Sequence, residues 1–321
     1  MHAIRLHSFG QAENLRYEQV PDPEPGPGQV RIRVEANGVH LVDTALRRGE
    51  AGPFPLPELP TVPGREVAGI VDRVGEGVDE ALVGQPVVAH LGNAPGGYAE
   101  LTVVDAAQAL SRPGLSAADA VALAGTGRTM LGIAQFADLG PGSVAAVTSA
   151  AGGIGTLLVQ YAKSLGATVI GIAGGANKAA LVAANGADLA VDYTEPEWVE
   201  KVRAHLAGRP ATVVFDGVGG AVGTAAVGLL APGGQHLIYG WSAGSATEVD
   251  PGAGIASETV LGPKMVEKAG GDLRILARRA LALGIEGVLR PAITAFPLSA
   301  AAAAHVALES GATTGKVVLV P

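Results

Sequence analysis

The 321-residue chain contains no cysteine, and only 16% of its residues are Asp, Glu, Lys or Arg. The absence of cysteine excludes disulfides, thiolate nucleophiles and thiolate-ligated zinc. Hydrophobic residues make up 48% of the chain, which is typical of a globular protein rather than of a disordered one. We therefore expect a folded protein, and we expect no metal.

Positive charge is also scarce. The net charge of −8 and the isoelectric point of about 5.4 argue against a surface that binds nucleic acid. The N-terminal residues lack the apolar core of a signal peptide. Residues 141–162 and 217–247 carry no charged side chain, but glycines interrupt both stretches, so we interpret them as buried core and not as membrane spans. A cytoplasmic protein is expected, with neither nucleic acid nor a membrane as partner.

The N-terminal third is predicted to be mostly β. Short apolar runs alternate with turns rich in Gly and Pro, and no long helical pattern separates them. The predicted strands are Ala3–Leu6, Val30–Val39, Glu66–Val74, Pro86–Ala89 and Tyr98–Val104. Such a series is typical of a compact, barrel-like domain.

A regular alternation of strands and helices begins at Val144, which predicts an α/β domain with a doubly wound parallel sheet. Its predicted strands are Val144–Val147, Thr168–Ile172, Leu189–Val191, Thr212–Phe215 and His236–Tyr239. The alternation stops near Ser257, and residues 315–320 form a closing strand that needs a partner sheet. We therefore predict a discontinuous β-rich domain, residues 1–122 with 258–321, around a domain of residues 123–257.

The turn after the first strand of that sheet carries a glycine motif. Ala150, Gly152 and Gly155 occupy the three glycine positions of the dinucleotide-binding fingerprint, between a predicted strand and a predicted helix. Gly152 allows the backbone to approach a pyrophosphate at the helix N-terminus, and Gly155 allows close packing of helix and strand. We predict that the whole turn, including Gly153 and Ile154, binds a cofactor; the alternative is an ordinary tight turn.

The end of the next strand indicates which cofactor is used. Folds selective for NAD place a carboxylate there on the ribose 2′-hydroxyl, but residues 173–176 contain none. Lys178 is placed to meet a 2′-phosphate, although it could also be a solvated lysine on the first helical turn. The pattern predicts NADPH, bound near Gly174.

Seven motifs together resemble the medium-chain dehydrogenase/reductase superfamily, in its zinc-free quinone oxidoreductase (zeta-crystallin-like) branch. The resemblance extends over nearly the full length and depends on the order and spacing of the motifs, because none is diagnostic alone. They are Asn37–Thr44, Val62–Gly69, Val74–Val78, Gly96–Glu100, Ala150–Gly155, Phe215–Gly219 and Thr314–Val318. The resemblance implies a GroES-like catalytic domain, a Rossmann NADP(H) domain, and homodimers or tetramers built from them.

The resemblance also implies several residue roles. Lys178 and Tyr193 match family residues that contact the 2′-phosphate, and Thr129 matches a position beside the nicotinamide; alternatively, Thr129 bonds its own backbone. Further cofactor contacts are expected from Lys316 and from the residues after the last strand, Gly240, Trp241 and Ser242. Trp241 could instead lie in a dimer interface.

Two residues of the first domain are candidates for catalysis. His40 could donate a proton or a hydrogen bond to a carbonyl oxygen, or it could cap a backbone group of its loop. Asp43 is expected to orient that loop. The family often has Asn in place of His40 and Tyr in place of Ala45, so a mechanism that needs this tyrosine does not transfer.

These observations predict a metal-free, NADPH-dependent reductase that transfers hydride to a quinone or an α,β-unsaturated carbonyl. One alternative is a protein that binds NADPH for a regulatory or structural purpose, with little turnover. The other is a divergent alcohol dehydrogenase, which the absence of zinc ligands disfavours.

Overall fold

The structure, a computed structural model, describes residues 1–50, 55–92 and 96–321. Its strands, in chain order, are β1 (His2–Leu6), β2 (Leu15–Gln19), β3 (Gln29–Val39), β4 (Glu66–Val74), β5 (Pro86–His90), β6 (Leu101–Asp105), β7 (Leu110–Ser111), β8 (Val144–Val147), β9 (Thr168–Ala173), β10 (Leu189–Asp192), β11 (Ala211–Asp216), β12 (Leu230–Ile238), β13 (Ala256–Thr259), β14 (Ile293–Pro297) and β15 (Lys316–Val320).

The α-helices are α1 (Leu41–Arg48), α2 (Ala117–Val121), α3 (Arg128–Ala134), α4 (Gly153–Ser164), α5 (Ala176–Ala184), α6 (Trp198–Leu206), α7 (Gly220–Val227), α8 (Pro263–Lys268), α9 (Leu273–Ile285) and α10 (Ala301–Glu309). A π-helical turn, Ala122–Gly127, joins α2 to α3. Single 3-10 turns lie at Ala12–Asn14, Glu80–Leu82, Ala106–Gln108, Pro251–Ala253 and Leu298–Ala300. Among the described residues, no helix is long and apolar enough to cross a membrane.

The chain forms two compact units, residues 1–126 with 291–321 and residues 127–290. In the described part of the first unit, a sheet runs in the order β14-β15-β3-β4-β5-β7, and β6 pairs with the other end of β3. The C-terminal strand β15 lies antiparallel to β3, with Val318 opposite Gly38. As the sequence predicts, the closing strand finds its partner in the N-terminal β-rich part.

Residues 41–48 form helix α1. A loop is expected from the sequence around His40 and Asp43, at the start of this segment. His40 is its N-cap residue, and the Asp43 carboxylate accepts a hydrogen bond from the His40 backbone N–H at 2.8 Å. An acceptor at this position satisfies a backbone donor that would otherwise have no partner at the helix start. His40 and Asp43 are therefore held in a defined helix start.

The second unit contains a fully parallel sheet in the order β10-β9-β8-β11-β12-β13. Numbered from β8, this is the Rossmann order 3-2-1-4-5-6, which confirms the predicted doubly wound sheet. Its central strands are buried apolar runs, as both faces of a parallel sheet require. The carboxyl ends of β8 to β12 therefore lie along one edge of the sheet.

The sixth strand, β13, was not predicted, and it changes where the compact units divide. Residue 257 is the predicted end of the second domain, whereas residues 258–290 belong to the second compact unit. β13 pairs in parallel with β12, and α9 packs against α3. Three of the four β13 residues are exposed, so the strand lacks the apolar run that marks its neighbours.

Candidate functional site

The glycine turn connects the end of β8 to the start of α4. Gly152 is the N-cap residue of α4, with an ordinary φ of −77°, and the first N–H groups of the helix follow it. A Cβ at Gly155 would stand 2.2 Å from the Ser149 backbone oxygen, so only glycine lets the helix approach the turn this closely. The N-terminus of α4 thus offers donors and a positive dipole end to a phosphate group.

A second predicted cluster lies at the ends of β9 and β10. The Tyr193 backbone N–H bonds to the carbonyl of Ala173 at 2.9 Å, which brings Tyr193 beside Gly174. A Cβ at Gly174 would stand 2.6 Å from the Tyr193 hydroxyl. Lys178 follows on the first turn of α5 and is half-buried. The structure thus brings Gly174 and Tyr193 into contact at the edge where the glycine turn lies, and it places Lys178 next to them in the chain.

The loop at Gly174 is held by Asp192, a role that the sequence alone does not predict. Its carboxylate accepts hydrogen bonds from the backbone N–H of Gly175 at 2.8 Å and from the Thr194 hydroxyl at 2.7 Å. These bonds lower the pKa of Asp192 below its usual value. The carboxylate is therefore used within the protein, where it fixes the turn.

Asp216, at the end of β11, organises the middle of the same edge. It is fully buried and accepts hydrogen bonds from the Thr148 hydroxyl at 2.8 Å, the Gly219 N–H at 3.1 Å and His236 Nε2 at 3.2 Å. Burial alone would raise the pKa of Asp216, but the bonds from His236 and Thr247 hold it well below its ordinary value. Asp216 thus ties the ends of β8, β11 and β12 together.

Residues 240–242 lie next to the loop that Asp216 caps. The Ser242 N–H bonds to the Gly217 carbonyl at 3.3 Å, and a Cβ at Gly240 would stand 3.0 Å from that same oxygen. The Trp241 side chain is 49% exposed. Thr129, the second residue of α3, is half-buried. The cofactor roles of these residues stay predictions.

In the first unit, a charged cluster forms around Glu66, at the start of β4. Its carboxylate is fully buried, and Oε2 lies 2.9 Å from His40 Nε2 and 3.0 Å from Lys316 Nζ. Burial would raise the pKa of Glu66, but the positive charge of Lys316 and the contact with His40 hold it well below its ordinary range. Backbone at Gly38 and Gly125 comes so near that a Cβ at either position would overlap the carboxylate. The cluster is therefore tightly enclosed.

Lys316 was predicted as a cofactor contact, but its side chain faces this cluster. It is only 4% exposed, and Nζ also lies 3.1 Å from His40 Nε2. The sequence predicted His40 and Lys316 in separate roles and did not anticipate that Glu66 joins them. His40 and Lys316 come together because β15 pairs with β3, with Val317 opposite Val39. The two residues are far apart along the chain, so the sequence does not show this contact.

Asp43, in the first turn of α1, has a buried side chain. Besides the His40 N–H, its carboxylate accepts a hydrogen bond from the Tyr98 hydroxyl at 3.2 Å, and Arg65 Nε lies 3.6 Å away. Burial and the neighbouring Asp43 raise the pKa of Tyr98 well above its usual value, so this hydroxyl remains a donor. These contacts fit the predicted orienting role of Asp43.

Two family models match the chain. "Alcohol dehydrogenase GroES-like domain" covers residues 26–114, and "Zinc-binding dehydrogenase" covers residues 153–266. Among curated relatives, the chain is 30% identical to Quinone oxidoreductase 1 of Escherichia coli K12, over 99% of both chains. It is 32% identical to a 2-haloacrylate reductase from a Burkholderia species, over 99% of this chain and 98% of the relative.

Solved structures give the same result. A mycobacterial protein in complex with NADPH superposes with a TM-score of 0.84, at 33% identity and over 100% of both chains. The quinone oxidoreductase of Escherichia coli, also solved with NADPH, gives a TM-score of 0.84 at 29% identity, again over 100% of both. The chain therefore belongs to the medium-chain dehydrogenase/reductase superfamily, in its quinone oxidoreductase branch.

The name of one matching family includes zinc, but the side chains of this protein do not fit a zinc ion. There is no cysteine, and the described residues contain no group of three His, Asp or Glu side chains that could hold a metal. Beside Glu66 and His40, where a cation would be sought, stands the ammonium of Lys316. We derive no chemistry through a metal.

Proposed function

We propose that this protein is an NADPH-dependent, metal-free reductase that transfers hydride to quinones or to α,β-unsaturated carbonyls. The observation that carries the proposal is the full-length similarity to quinone oxidoreductases and to a 2-haloacrylate reductase, together with structural neighbours solved with NADPH. Quinones and acrylates share a carbon–carbon double bond conjugated to a carbonyl group, so one hydride chemistry serves both.

The second unit has the features that NADPH requires. In this proposal the turn of residues 150–155 at the start of α4 would hold the pyrophosphate, and Lys178 and Tyr193 would hold the 2′-phosphate. Asp192 Oδ1 is engaged by the backbone N–H groups of Gly175 and Thr194, and residues 173–176 at the end of β9 contain no carboxylate for a ribose hydroxyl. When bound, NADPH supplies the hydride, and the protein supplies orientation and the exclusion of water.

A panel of acceptors tests the proposal directly. Purified protein is mixed with NADPH and a series of quinones and enones, and NADPH oxidation is followed by absorbance. We expect turnover with at least one acceptor of each class. Tight NADPH binding without turnover on the whole panel would favour the binding-protein alternative, and oxidation of simple alcohols with NADP⁺ would favour the alcohol dehydrogenase.

Removal of metal should leave the enzyme unchanged. Because the cation beside Glu66 is Lys316 and the chain has no cysteine, we expect full activity after exhaustive chelation. Elemental analysis of the untreated protein should show zinc far below one ion per chain. A stoichiometric zinc lost together with activity would contradict this expectation.

Cofactor preference is expected to depend on Lys178. A hydrogen bond to a charged group contributes about 1.5–3 kcal/mol, so Lys178→Ala should weaken NADPH about ten- to hundredfold and leave NADH nearly unchanged. Tyr193→Phe should act in the same direction but more weakly, since it removes a neutral donor. The measurement is kcat/KM for both cofactors in the wild type and in each variant.

Lys163→Ala is the matched control. Lys163 lies in the last turn of α4, at the opposite end of the helix from the glycine turn, and its ammonium is bound to Asp188. Gly174→Asp is a poor test of charge, since its Cβ would displace the Tyr193 hydroxyl. A wild type that prefers NADH, or an equal loss of both cofactors in Lys178→Ala, would contradict the assignment.

We also propose that the protein is a homodimer in the cytoplasm. The family resemblance supports the dimer, and dependence on NADPH, an intracellular reductant, supports the location. Sedimentation equilibrium should give twice the chain mass of 31.9 kDa. Cell fractionation should recover the protein with cytosolic markers; a monomer mass or a membrane fraction would contradict the respective proposal.

A further inference from the structure

The cluster of His40, Glu66 and Lys316 determines which hydrogen-bond roles its members can take. Glu66 and Lys316 are buried, at 0% and 4% exposure, whereas the His40 side chain is 22% exposed. His40 is therefore the member of the cluster with the largest access to solvent or ligand. Its backbone is fixed by the bond from its N–H to Asp43.

The contact between His40 and Glu66 places a proton on Nε2. The depressed pKa of Glu66 keeps this carboxylate ionised at neutral pH, and an ionised carboxylate can only accept hydrogen bonds. Nε2 lies 2.9 Å from Oε2, so it has to be the donor. In a neutral imidazole, the other nitrogen, Nδ1, is then the acceptor.

Lys316 contributes without occupying that acceptor. Its Nζ lies 3.1 Å from Nε2 and 3.4 Å from Nδ1. A donor placed in the ring plane on the lone pair of Nδ1 would stand far from Nε2, so these nearly equal distances put the ammonium against the face of the ring. The lone pair of Nδ1 consequently has no in-plane partner among the described residues.

We infer that Glu66 and Lys316 are positioning residues that fix His40 as the Nε2-protonated tautomer, whose Nδ1 accepts a hydrogen bond from water or from a hydroxyl group at the site. This differs from the sequence-based expectation that His40 donates to a carbonyl oxygen. In this arrangement His40 orients the water that protonates the reduced product, and no proton leaves the ring. The inference about the water depends on the proposed reductase activity; the tautomer does not.

Other titratable groups also lie near His40. Asp43 on α1 binds the backbone of His40, and His90 on β5 lies opposite Glu66 in the sheet. Glu66 on β4 and Lys316 on β15 contact the ring itself. The tautomer is therefore set by Glu66, which contacts a ring nitrogen directly.

Nitrogen-15 NMR of the full-length protein without cofactor tests the tautomer. With labelled histidine, the signals of His40 are those that disappear in His40→Asn. We expect a protonated nitrogen at Nε2 and a bare nitrogen at Nδ1 at neutral pH. A proton on Nδ1, in either the other tautomer or the imidazolium, would overturn the inference even if the reductase assay succeeds.

Kinetics test the role of the ring. Loss of one neutral hydrogen bond to water should lower kcat about two- to tenfold in His40→Leu, whose side chain has no acceptor, with an unchanged pH profile. A general acid would contribute about a hundredfold or more, and its removal would abolish the alkaline limb of the profile. That larger loss would overturn the acceptor role. A wild type without turnover would contradict the proposed function and leave the NMR result to decide the tautomer.

Lys316→Met, with Lys316→Arg as the charge-conserving control, separates positioning from cofactor binding. Because Lys316 contacts Glu66 and His40, we expect the NADPH dissociation constant of Lys316→Met to stay within about twofold of the wild type, far below the tenfold that 1.4 kcal/mol represents. The His40 nitrogen signals should shift in Lys316→Met and return toward wild type in Lys316→Arg. Weaker NADPH binding with unchanged His40 signals would overturn the positioning role.

Discussion

A Gly152→Val protein is expected to fold and to lose NADPH binding. A Cβ at Gly152 would stand 3.0 Å from Ser149 Oγ and 3.2 Å from its carbonyl oxygen, so small shifts of Ser149 accommodate it. The valine methyl groups would then fill the space where phosphate oxygens approach the first N–H groups of α4. Titration calorimetry should show affinity reduced by more than about a hundredfold, equivalent to roughly 2.8 kcal/mol.

Gly155→Ala provides the contrast, because a Cβ at Gly155 would overlap the Ser149 carbonyl oxygen at 2.2 Å and the Ala150 Cα at 2.7 Å. We expect that variant to lose stability rather than cofactor affinity alone. Thermal unfolding distinguishes the two glycines. A folded Gly152→Val protein with unchanged NADPH affinity would place the nucleotide elsewhere.

Glu66→Gln is expected to destabilise the protein strongly at neutral pH. The substitution leaves the Lys316 ammonium at 4% exposure without its carboxylate, and removing one partner of a buried ion pair costs about 3–5 kcal/mol. The free energy of unfolding, measured with urea, should fall by that amount. The double variant Glu66→Gln/Lys316→Met should recover most of the loss, because no buried charge remains uncompensated; a double variant as unstable as the single one would contradict this explanation.

The same pair predicts a dependence on pH. Since folding lowers the pKa of Glu66 from its ordinary value of 4.5, the carboxylate contributes its full stabilisation above that value and loses it as the pH falls toward the folded-state pKa. The difference in stability between wild type and Glu66→Gln should therefore be constant near neutrality and narrow progressively below pH 4.5. A difference independent of pH down to acid unfolding would argue against an ionised Glu66.

Much of the fold could be predicted because its signals are local. The strands β8 to β12 are apolar runs separated by helical patterns, and the glycine turn lies where a βα connection is expected. β13 escaped prediction because its partners, and not its own sequence, make it a strand. Helix α1 escaped for a similar reason, since its start depends on the bond from His40 to Asp43.

In the candidate site too, local contacts could be predicted from the sequence and long-range contacts could not. Gly174 and Tyr193 could be placed together because the carboxyl ends of neighbouring parallel strands meet at one edge. The contacts among Glu66, His40 and Lys316 join residues up to 276 positions apart, and they depend on antiparallel register in a sheet whose order the sequence does not reveal. Asp216 was visible within a motif, but its five donors come from separate strands and loops.

The discontinuous first unit has a consequence for synthesis on the ribosome. Residues 127–290 are synthesised before β15, which is translated last, so β3 can pair with β4 and β6 early but lacks β15 until the end. At about 5–20 residues per second, the 195 residues between positions 126 and 321 take roughly 10–40 s. Throughout that interval Glu66 is without Lys316, so the nascent N-terminal segment carries a carboxylate whose positive partner arrives only with the last strand of the same unit.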